Sequence, residues 1–523
     1  MNAPQITDGP YVMGIDFGTE SCRVAIVDLT GRPVAIASTG YVTSYPRPGQ
    51  AEQSPDDWWE ALVASTHKAM ADAGIGAHAI AGISYDATTM TVVAMDERGN
   101  ALRPAIMWMD VRATEQAARA SHSDSPARRY NGGGSMPATA EWFPFKAAWL
   151  RENEPQTYRD AHRLVDAPDW LTFRLTGRWT ANINSASLRA YYDRNLGGWP
   201  VDFYEEIGCG DVFDKVPGDV LDLGEPVGAL TVAAATALGL VPGTPVAQGC
   251  ADAWAGQIGL GVLSPGRFAL ITGSSHVLTG QTAQPVSGPG FFGAYTDGVL
   301  PGQYTVEGGQ VSTGSVLKWF KDNFARDVVA AAERTGLNAY DILNAQSRDL
   351  PPGSEGLIIC EYFQGNRTPY TDSKARGIIS GLSLRHGPEH MYRAIQESVC
   401  YGTAHNVRVM AEAGIPVEEL VVCGGATKSR DWIQMHADVT GVPITLTEVG
   451  DAVVLGTSML AATGAGLFAD LPTAAKEMVT EVDRIEPDQE RHEEYQFFVD
   501  TYVQTYPQLK EQIHGMTDKV SAA

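Results

Sequence analysis

Two aspartates lie where chemistry is expected, each close to the end of an apolar strand. Asp16 comes directly before a turn of small residues, a position suited to binding Mg²⁺ directly or through water. Asp252 follows the apolar strand Pro245–Ala247 and is the only charged residue between Glu225 and Arg267. An isolated carboxylate in an apolar setting is a candidate general base. Each also has a simpler interpretation, a solvated hairpin residue for Asp16 and a helix N-cap for Asp252.

Two loops have the composition of turns that bind phosphates or other ligands. The segment Gly14–Arg23 contains a turn of small and hydroxyl-bearing residues followed by one cation, and the residues of interest are Gly18, Thr19, Ser21 and Arg23. Backbone N–H groups and hydroxyls in such a turn can hold a phosphate. The loop Gly424–Ala426 follows an apolar strand and allows close approach of a ligand to the backbone. It lacks the third glycine of a dinucleotide fingerprint, which disfavours a Rossmann oxidoreductase. Each loop alone is also compatible with an ordinary turn.

The elements that position these residues indicate two α/β domains. Three short apolar runs between Tyr11 and Ser38, joined by tight turns, predict an antiparallel meander, and a helix is expected to begin after Ser54. A similar order of elements starts again near Gly266. The segment from about Asp483 has aromatic residues at helical spacing and predicts a surface helix. The pattern favours two mixed sheets flanked by helices, with a boundary near residues 260–266.

The overall charge argues against several classes of partner. The 523 residues include 38 Lys and Arg against 62 Asp and Glu, a formal net charge of −24. This balance disfavours nucleic acids and anionic membranes as partners, since both bind surfaces with dense positive charge. The six cysteines are scattered and predict buried thiols in a reducing compartment. The polar N-terminus has no signal-peptide core and the long uncharged stretches contain proline or glycine, so a soluble cytoplasmic protein is expected.

Taken in order, the motifs resemble the FGGY family of carbohydrate kinases, in the actin-fold superfamily, from about Val12 to about Gly466. The segment Gly14–Arg23 matches the family's first phosphate motif at its Gly, Asp, Gly, Thr, Ser and Arg positions. Further matches are Ala51–Trp59, Asp169–Gly177, Gly365–Pro369 with Asp372 and Ala375–Gly377, and Gly424–Ala426 with Trp432 and Gln434. The chain departs from the family pattern at Ala147, where a larger apolar residue is usual, and at Ser274, where threonine is common.

The resemblance implies an ATP-dependent kinase with ATP and Mg²⁺ as its cofactors. It also implies two actin-like (ribonuclease-H-like) domains, each a mixed sheet flanked by helices, with a cleft between them. Residues 1–262 are expected to bind sugar and phosphate, and residues 263–523 the nucleotide. Asp252 is the implied general base and Asp16 the implied Mg²⁺ ligand. The implied nucleotide contacts are Gly18, Thr19, Ser21, Arg23, Gly273, Ser274, Gly424, Gly425 and Ala426.

The same resemblance suggests a substrate. The segment Asp86-Ala87 is similar to that of ribulokinase-like members, and Lys146 keeps the Glu-to-Lys spacing of bacterial L-ribulokinases. Glu307 resembles a further substrate contact of that subgroup. The segment Trp108–Ala113 resembles the D-ribulokinase version of a region near the sugar. Because D- and L-ribulokinase features are mixed, a pentulose such as ribulose is expected. The predicted partners are a small-molecule sugar or polyol and a second copy of the chain, since homodimers are common in the family.

Three alternatives stay open. One is a sugar-alcohol kinase of the ribitol, erythritol, xylitol or glycerol type. Another is a catalytically silent actin-fold sensor that binds nucleotide or sugar. The third concerns single residues, since Asp86, Lys146 and Glu307 can also be interpreted as ion-paired structural groups.

Overall fold

The computed structural model describes residues 9–448 and 450–521, whose strands form two large sheets and three small ones. The strands are β1 Tyr11–Phe17, β2 Ser21–Asp28, β3 Pro33–Gly40, β4 Glu52–Gln53, β5 Ile80–Ala87, β6 Val92–Met95, β7 Ala105–Ile106, β8 Arg163–Asp166, β9 Ala181–Asn182, β10 Val220–Leu221, β11 Pro226–Ala229, β12 Pro245–Ala247, β13 Cys250–Ala251, β14 Arg267–Thr272, β15 His276–Thr282, β16 Phe292–Thr296, β17 Tyr304–Gln310, β18 Ile358–Cys360, β19 Ile378–Ser380, β20 Glu419–Gly424, β21 Ile444–Thr447 and β22 Glu481–Ile485.

The helices lie mostly between the strands in both halves of the chain. They are α1 Pro55–Ala73, α2 Thr114–Ala120, α3 Phe143–Asn153, α4 Pro155–Asp160, α5 Ala167–Thr176, α6 Ile183–Ala190, α7 Val201–Glu206, α8 Val232–Leu238, α9 Asp252–Gly259, α10 Gly314–Phe324, α11 Arg326–Thr335, α12 Ala339–Ser347, α13 Pro388–Glu412, α14 Arg430–Thr440, α15 Ala452–Gly464, α16 Leu471–Met478 and α17 Gln489–Ser521.

The two large sheets share one topology. The first has the order β11-β12-β5-β1-β2-β3, with β13 beside β5. Its strands β1, β2 and β3 form an antiparallel meander, β5 is parallel to β1, and β12 is parallel to β5. The second has the order β16-β17-β15-β14-β20-β21-β22, in which β14, β15 and β17 are antiparallel and β20 and β21 continue in parallel. The mixed α/β fold and the predicted meander are therefore confirmed.

Local sequence signals set several of these elements. Ser54 accepts a hydrogen bond at its hydroxyl from the backbone N–H of Asp57 at 3.4 Å and Pro55 opens α1, as a capped helix start requires. The C-terminal segment differs from expectation. Residues Glu481–Ile485 pair with β21 as an edge strand that buries Ile485 against Ile444, and the predicted helix begins only at Gln489.

Two helices connect the halves of the chain. α15 lies on β1, β5 and β12 of the first sheet, whereas α9 contacts β14 and β15 of the second. A Cβ atom added at Gly259 would lie 1.8 Å from the carbonyl oxygen of Ala452, and one at Gly456 would lie 1.9 Å from that of Ala255. Glycine therefore lets α9 and α15 cross in backbone contact. Because α15 belongs to the second half but packs in the first core, a division at residue 262 stays a prediction.

Two further expectations concern burial. All six cysteines are free and buried, as their scattered positions predict. Within residues 9–448 and 450–521, no helix combines the length and the apolar character that crossing a bilayer requires.

Candidate active site

Three aspartates meet at the carboxyl edge of the first sheet. Asp16 lies opposite Asp86 in the parallel pair β1–β5, and Asp86 lies opposite Cys250 in the parallel pair β5–β13. Asp252 follows β13 directly and is the first residue of α9. Because parallel strands end at the same edge, residues far apart in the chain form one carboxylate cluster. Asp16 and Asp86 are fully buried, whereas Asp252 is partly exposed.

Burial and mutual repulsion raise the pKa values of these carboxyl groups. The pKa of Asp86 is well above its ordinary value, first through burial and then through the charges of Asp16 and Asp252. Burial also raises the pKa of Asp16, although Arg23 opposes the effect. Burial, followed by repulsion from Asp16, raises the pKa of Asp252 to about 7. A carboxyl group with a pKa near neutrality is suited to accept a proton at physiological pH.

Arg23 connects the cluster to the second half of the chain. Its guanidinium forms an ion pair with Asp16, which lies opposite it on β1, and a second one with Asp451 at 2.7 Å. Asp451 directly precedes α15, and its charge adds to burial in raising the pKa of Cys423 on β20. The carboxyl edges of the two sheets therefore meet around Asp451. Sequence reasoning missed this residue, although an acidic residue directly before an apolar helix is a visible signal.

The turn between β1 and β2 is held from several sides. The N–H of Gly18 donates to the carbonyl of Ser21 at 3.1 Å, and Tyr41 donates its hydroxyl to the carbonyl of Gly18. Gln53 donates to the carbonyl of Thr19 at 2.7 Å, and the indole N–H of Trp108 donates to the Thr19 hydroxyl at 3.0 Å. The predicted phosphate turn is thus rigidly positioned beside Asp16.

Two glycine loops lie side by side at the carboxyl edge of the second sheet. Gly273 and Ser274 follow β14, whereas Gly424 ends its parallel neighbour β20 and Gly425 and Ala426 follow it. Thr272 joins them, because its hydroxyl donates to the carbonyl of Cys423 at 2.6 Å and accepts from the N–H of Ala426 at 3.0 Å. The segment before α10 covers the first loop, since the N–H of Thr313 donates to the carbonyl of Ser274 at 2.9 Å.

Gly424 is expected to tolerate no side chain. Its φ of 90° favours glycine, and an added Cβ atom would lie 2.0 Å from the carbonyl oxygen of Thr272. At Gly425 the same oxygen is 3.9 Å from an added Cβ atom, which is ordinary contact. Gly424→Ala should therefore lower the free energy of unfolding by about 1–3 kcal/mol, and Gly425→Ala by clearly less. Equal losses in urea denaturation of the two variants would contradict this prediction.

Lys146 is buried and connects two loops through hydrogen bonds. It is fully buried, and its ammonium group donates to the carbonyls of Met90, Met107 and Trp108 at 2.7, 2.6 and 3.2 Å. Burial lowers its pKa to about 7. These three bonds use every N–H of an ammonium group, so the lysine positions the loop that follows Asp86 and Ala87. Its direct contact with a sugar stays a prediction.

Glu307 forms an ion pair with the other half of the chain. Arg189 on α6 lies 2.7 Å from one carboxylate oxygen of Glu307 on β17, and Tyr295 donates to the same carboxylate at 3.2 Å. The guanidinium carbon of Arg189 also lies 5.0 Å from the ring centre of Trp254 and 5.4 Å from that of Trp142. Glu307 is therefore ion-paired in the structure, as the alternative interpretation of this residue expects. Its contact with a sugar stays a prediction. Sequence reasoning did not find Arg189.

The family assignment follows from two domain models that together match most of the described chain. Residues 11–259 match the N-terminal domain of the FGGY family of carbohydrate kinases, and residues 268–465 match its C-terminal domain. The chain belongs to the FGGY family. It is a carbohydrate kinase, a phosphotransferase that uses ATP and has an alcohol group as acceptor.

The relatives of this FGGY kinase have the names of different carbohydrate kinases. An FGGY carbohydrate kinase domain-containing protein of Xenopus laevis is 32% identical and covers 94% of this chain and 95% of its own. A ribulokinase of Mycolicibacterium smegmatis is also 32% identical and covers 90% and 88%. Among solved structures, a xylulose kinase from Rhodospirillum rubrum superimposes with a TM-score of 0.84 at 29% identity, covering 96% and 100%. The two-domain actin-like fold expected from the sequence is confirmed.

The carboxylate cluster of this FGGY kinase fits a divalent cation that arrives with ATP. Asp86 is buried with no hydrogen-bond donor for either carboxylate oxygen. The nearby guanidinium of Arg23 forms ion pairs with Asp16 and Asp451 and only partly opposes the raised pKa of Asp86. Within the described part of the chain, no three His, Cys, Asp or Glu side chains form a complete metal site. Mg²⁺ in kinase sites usually needs only one or two carboxylates beside substrate phosphates, so the donors present suffice.

Proposed function

We propose that this FGGY kinase transfers the γ-phosphoryl group of ATP to a hydroxyl of a pentulose, with ribulose as the first candidate. The observation that carries the proposal is the cluster of Asp16, Asp86 and Asp252 beside the glycine loops of the second half. The raised pKa of Asp252 gives the cluster a base that works at neutral pH. Relatives named ribulokinase and xylulose kinase support a five-carbon ketose.

Asp252 is the proposed general base. As the sugar oxygen attacks the γ-phosphorus in line, the hydroxyl proton passes to the Asp252 carboxylate and the bond between the γ-phosphorus and the ADP oxygen breaks. The carboxylate is oriented by the N–H of Ala253, which donates to its Oδ1 at 2.7 Å. The other oxygen is then free to face the substrate.

The phosphates are held from both halves in this proposal. The turn with Gly18, Thr19 and Ser21 offers N–H and hydroxyl donors from the first half, and the loop with Gly273 and Ser274 offers them from the second. Mg²⁺, when bound with ATP, neutralises phosphate charge, and Asp16 is the residue that would hold it. Gly424, Gly425 and Ala426 leave room beside them for the adenosine.

In this proposal, polar side chains surround the hydroxyl groups of the sugar. Asp86 and Ala87 pair with Cys250 and Ala251, the two residues directly before Asp252. Lys146 fixes the next loop, and Glu307 is the proposed contact from the second half. These groups suit a ligand with several hydroxyls.

A screen of acceptors tests the proposal. ADP release, coupled to a reporter enzyme, is measured with D- and L-pentuloses, pentitols, tetritols and glycerol. We expect the highest kcat/KM for a pentulose. A higher value for ribitol, erythritol or glycerol would replace the pentulose by a polyol, and ATP turnover with none of these acceptors would contradict the proposal.

A further inference from the structure

The C-terminal helix α17 contacts the second domain through three tyrosines that donate to buried carboxylates. Tyr495 donates to Glu397 at 3.3 Å, Tyr502 to Glu361 at 2.8 Å, and Tyr506 to Asp372 at 2.6 Å. Their spacing of seven and four residues puts all three on one face of the helix. The three carboxylates differ in the other groups that form hydrogen bonds or ion pairs with them.

Glu361 connects Tyr502 to the end of β17. The carboxylate is 1% exposed, and it accepts from the Tyr502 hydroxyl on one side and from the side-chain amide of Gln310 at 2.8 Å on the other. No arginine or lysine pairs with it among the described residues. The hydrogen bonds from Tyr502 and Gln310 are therefore what stabilises this buried carboxylate.

The amide of Gln310 is fully engaged. Its Nε2 also donates to the carbonyl of Val399 at 3.0 Å, and its Oε1 accepts from the Thr403 hydroxyl at 3.0 Å. Helix α13 leaves space for this arrangement at Gly402, where an added Cβ atom would lie 2.3 Å from the Gln310 Nε2. A side chain held by three partners, Glu361, Val399 and Thr403, has one orientation, so Gln310 fixes the end of its strand.

The strand end that Gln310 fixes leads directly onto the phosphate loop. Gln310 lies opposite His276, the residue with which β15 begins after that loop. Thr313, Gly314 and Ser315 follow, and their N–H groups donate to the carbonyls of Ser274, Gly273 and Ser274 at 2.9, 3.2 and 3.2 Å. A shift of Gln310 is thus passed on to the loop through backbone hydrogen bonds.

We propose that Gln310, held by Glu361 and Tyr502, is a positioning residue for the Gly273–Ser274 loop, so that helix α17 acts on the binding of the nucleotide's phosphates. The inference rests on the proposed function in one respect, the assignment of that loop to the phosphates.

The test compares Tyr502→Phe with Tyr495→Phe. Both remove a hydroxyl from the same helix face, but Glu397 behind Tyr495 is held by Arg393, Ser354 and Gly353 and is not hydrogen-bonded to the segment that covers the phosphate loop. Titration calorimetry with ADP should give a Kd about 3- to 10-fold higher for Tyr502→Phe, the size of one lost hydrogen bond, and a Kd within about twofold for Tyr495→Phe. Thr403→Val, which removes a direct hydrogen-bond partner of Gln310, should act like Tyr502→Phe.

Steady-state kinetics separates positioning from general destabilisation. For Tyr502→Phe the KM for ATP should rise while the KM for the sugar stays unchanged. An unchanged ADP affinity for both Tyr502→Phe and Thr403→Val, or an equal loss in Tyr495→Phe, would overturn the inference. The calorimetric comparison needs no acceptor, so it stands apart from the acceptor screen, whose failure would overturn only the proposed function.

Discussion

Asp252→Asn is expected to lower kcat by about 10²- to 10⁴-fold, the usual contribution of a general base. The amide keeps the shape of the side chain but cannot accept the hydroxyl proton. The nucleotide loops of the second half are untouched, so the Kd for ADP should stay within about twofold of the wild type. The rate is measured by ADP release with the best acceptor of the screen. A variant with wild-type turnover would remove Asp252 from the mechanism.

The pH dependence gives an independent readout of the same group. Burial and Asp16 raise the pKa of Asp252 to about 7, so log kcat/KM of the wild type should fall with a slope of about one below that pH. Stability changes with pH in the opposite direction to activity. The raised pKa of Asp252 stabilises the fold at low pH, and this contribution is lost as the pH rises through about 7. At pH 8 Asp252→Asn should therefore have a higher Tm than the wild type. A lower Tm would mean that the loss of activity comes from misfolding.

Arg189→Met is expected to lower the free energy of unfolding by about 3–5 kcal/mol, because it leaves the Glu307 carboxylate buried without its partner. The two side chains are almost completely buried and lie 2.7 Å apart. The pair also joins α6 of the first half to β17 of the second. The measurement is urea denaturation at pH 7.5.

The matched control for this prediction is the double variant Arg189→Met, Glu307→Gln. No charge is left unpaired in it, so most of the lost stability should return. If single and double variants are equally unstable, the ion pair is not the cause. In the folded double variant, a KM that rises for the sugar and not for ATP supports a role of Glu307 in sugar binding.

The parts of this molecule that sequence predicts are those with local causes. Short apolar runs with tight turns produce β1, β2 and β3, and Ser54 with Pro55 starts α1. The ends of apolar strands locate Asp16 and Asp252, and the register of parallel strands then brings them together. Each of these signals lies within about ten residues of the element it predicts.

The parts that sequence does not predict depend on pairing across the chain. Arg23 and Asp451 are 428 residues apart, and neither spacing nor composition joins them. The sequence suggests a sugar contact or an ion-paired group for Lys146, yet the fold surrounds its ammonium group with three carbonyls. Sequence reasoning does not predict the strand β22, because three of its five residues are charged and only Ile485 is buried.

The most direct test of the central claim is ³¹P NMR of the reaction of the wild-type protein with ribulose, ATP and Mg²⁺. We predict a new phosphomonoester resonance that grows in equal amount with ADP and that forms at least about 100-fold more slowly with Asp252→Asn. Inorganic phosphate beside ADP with no phosphomonoester, or a phosphomonoester formed equally fast by Asp252→Asn, would contradict it.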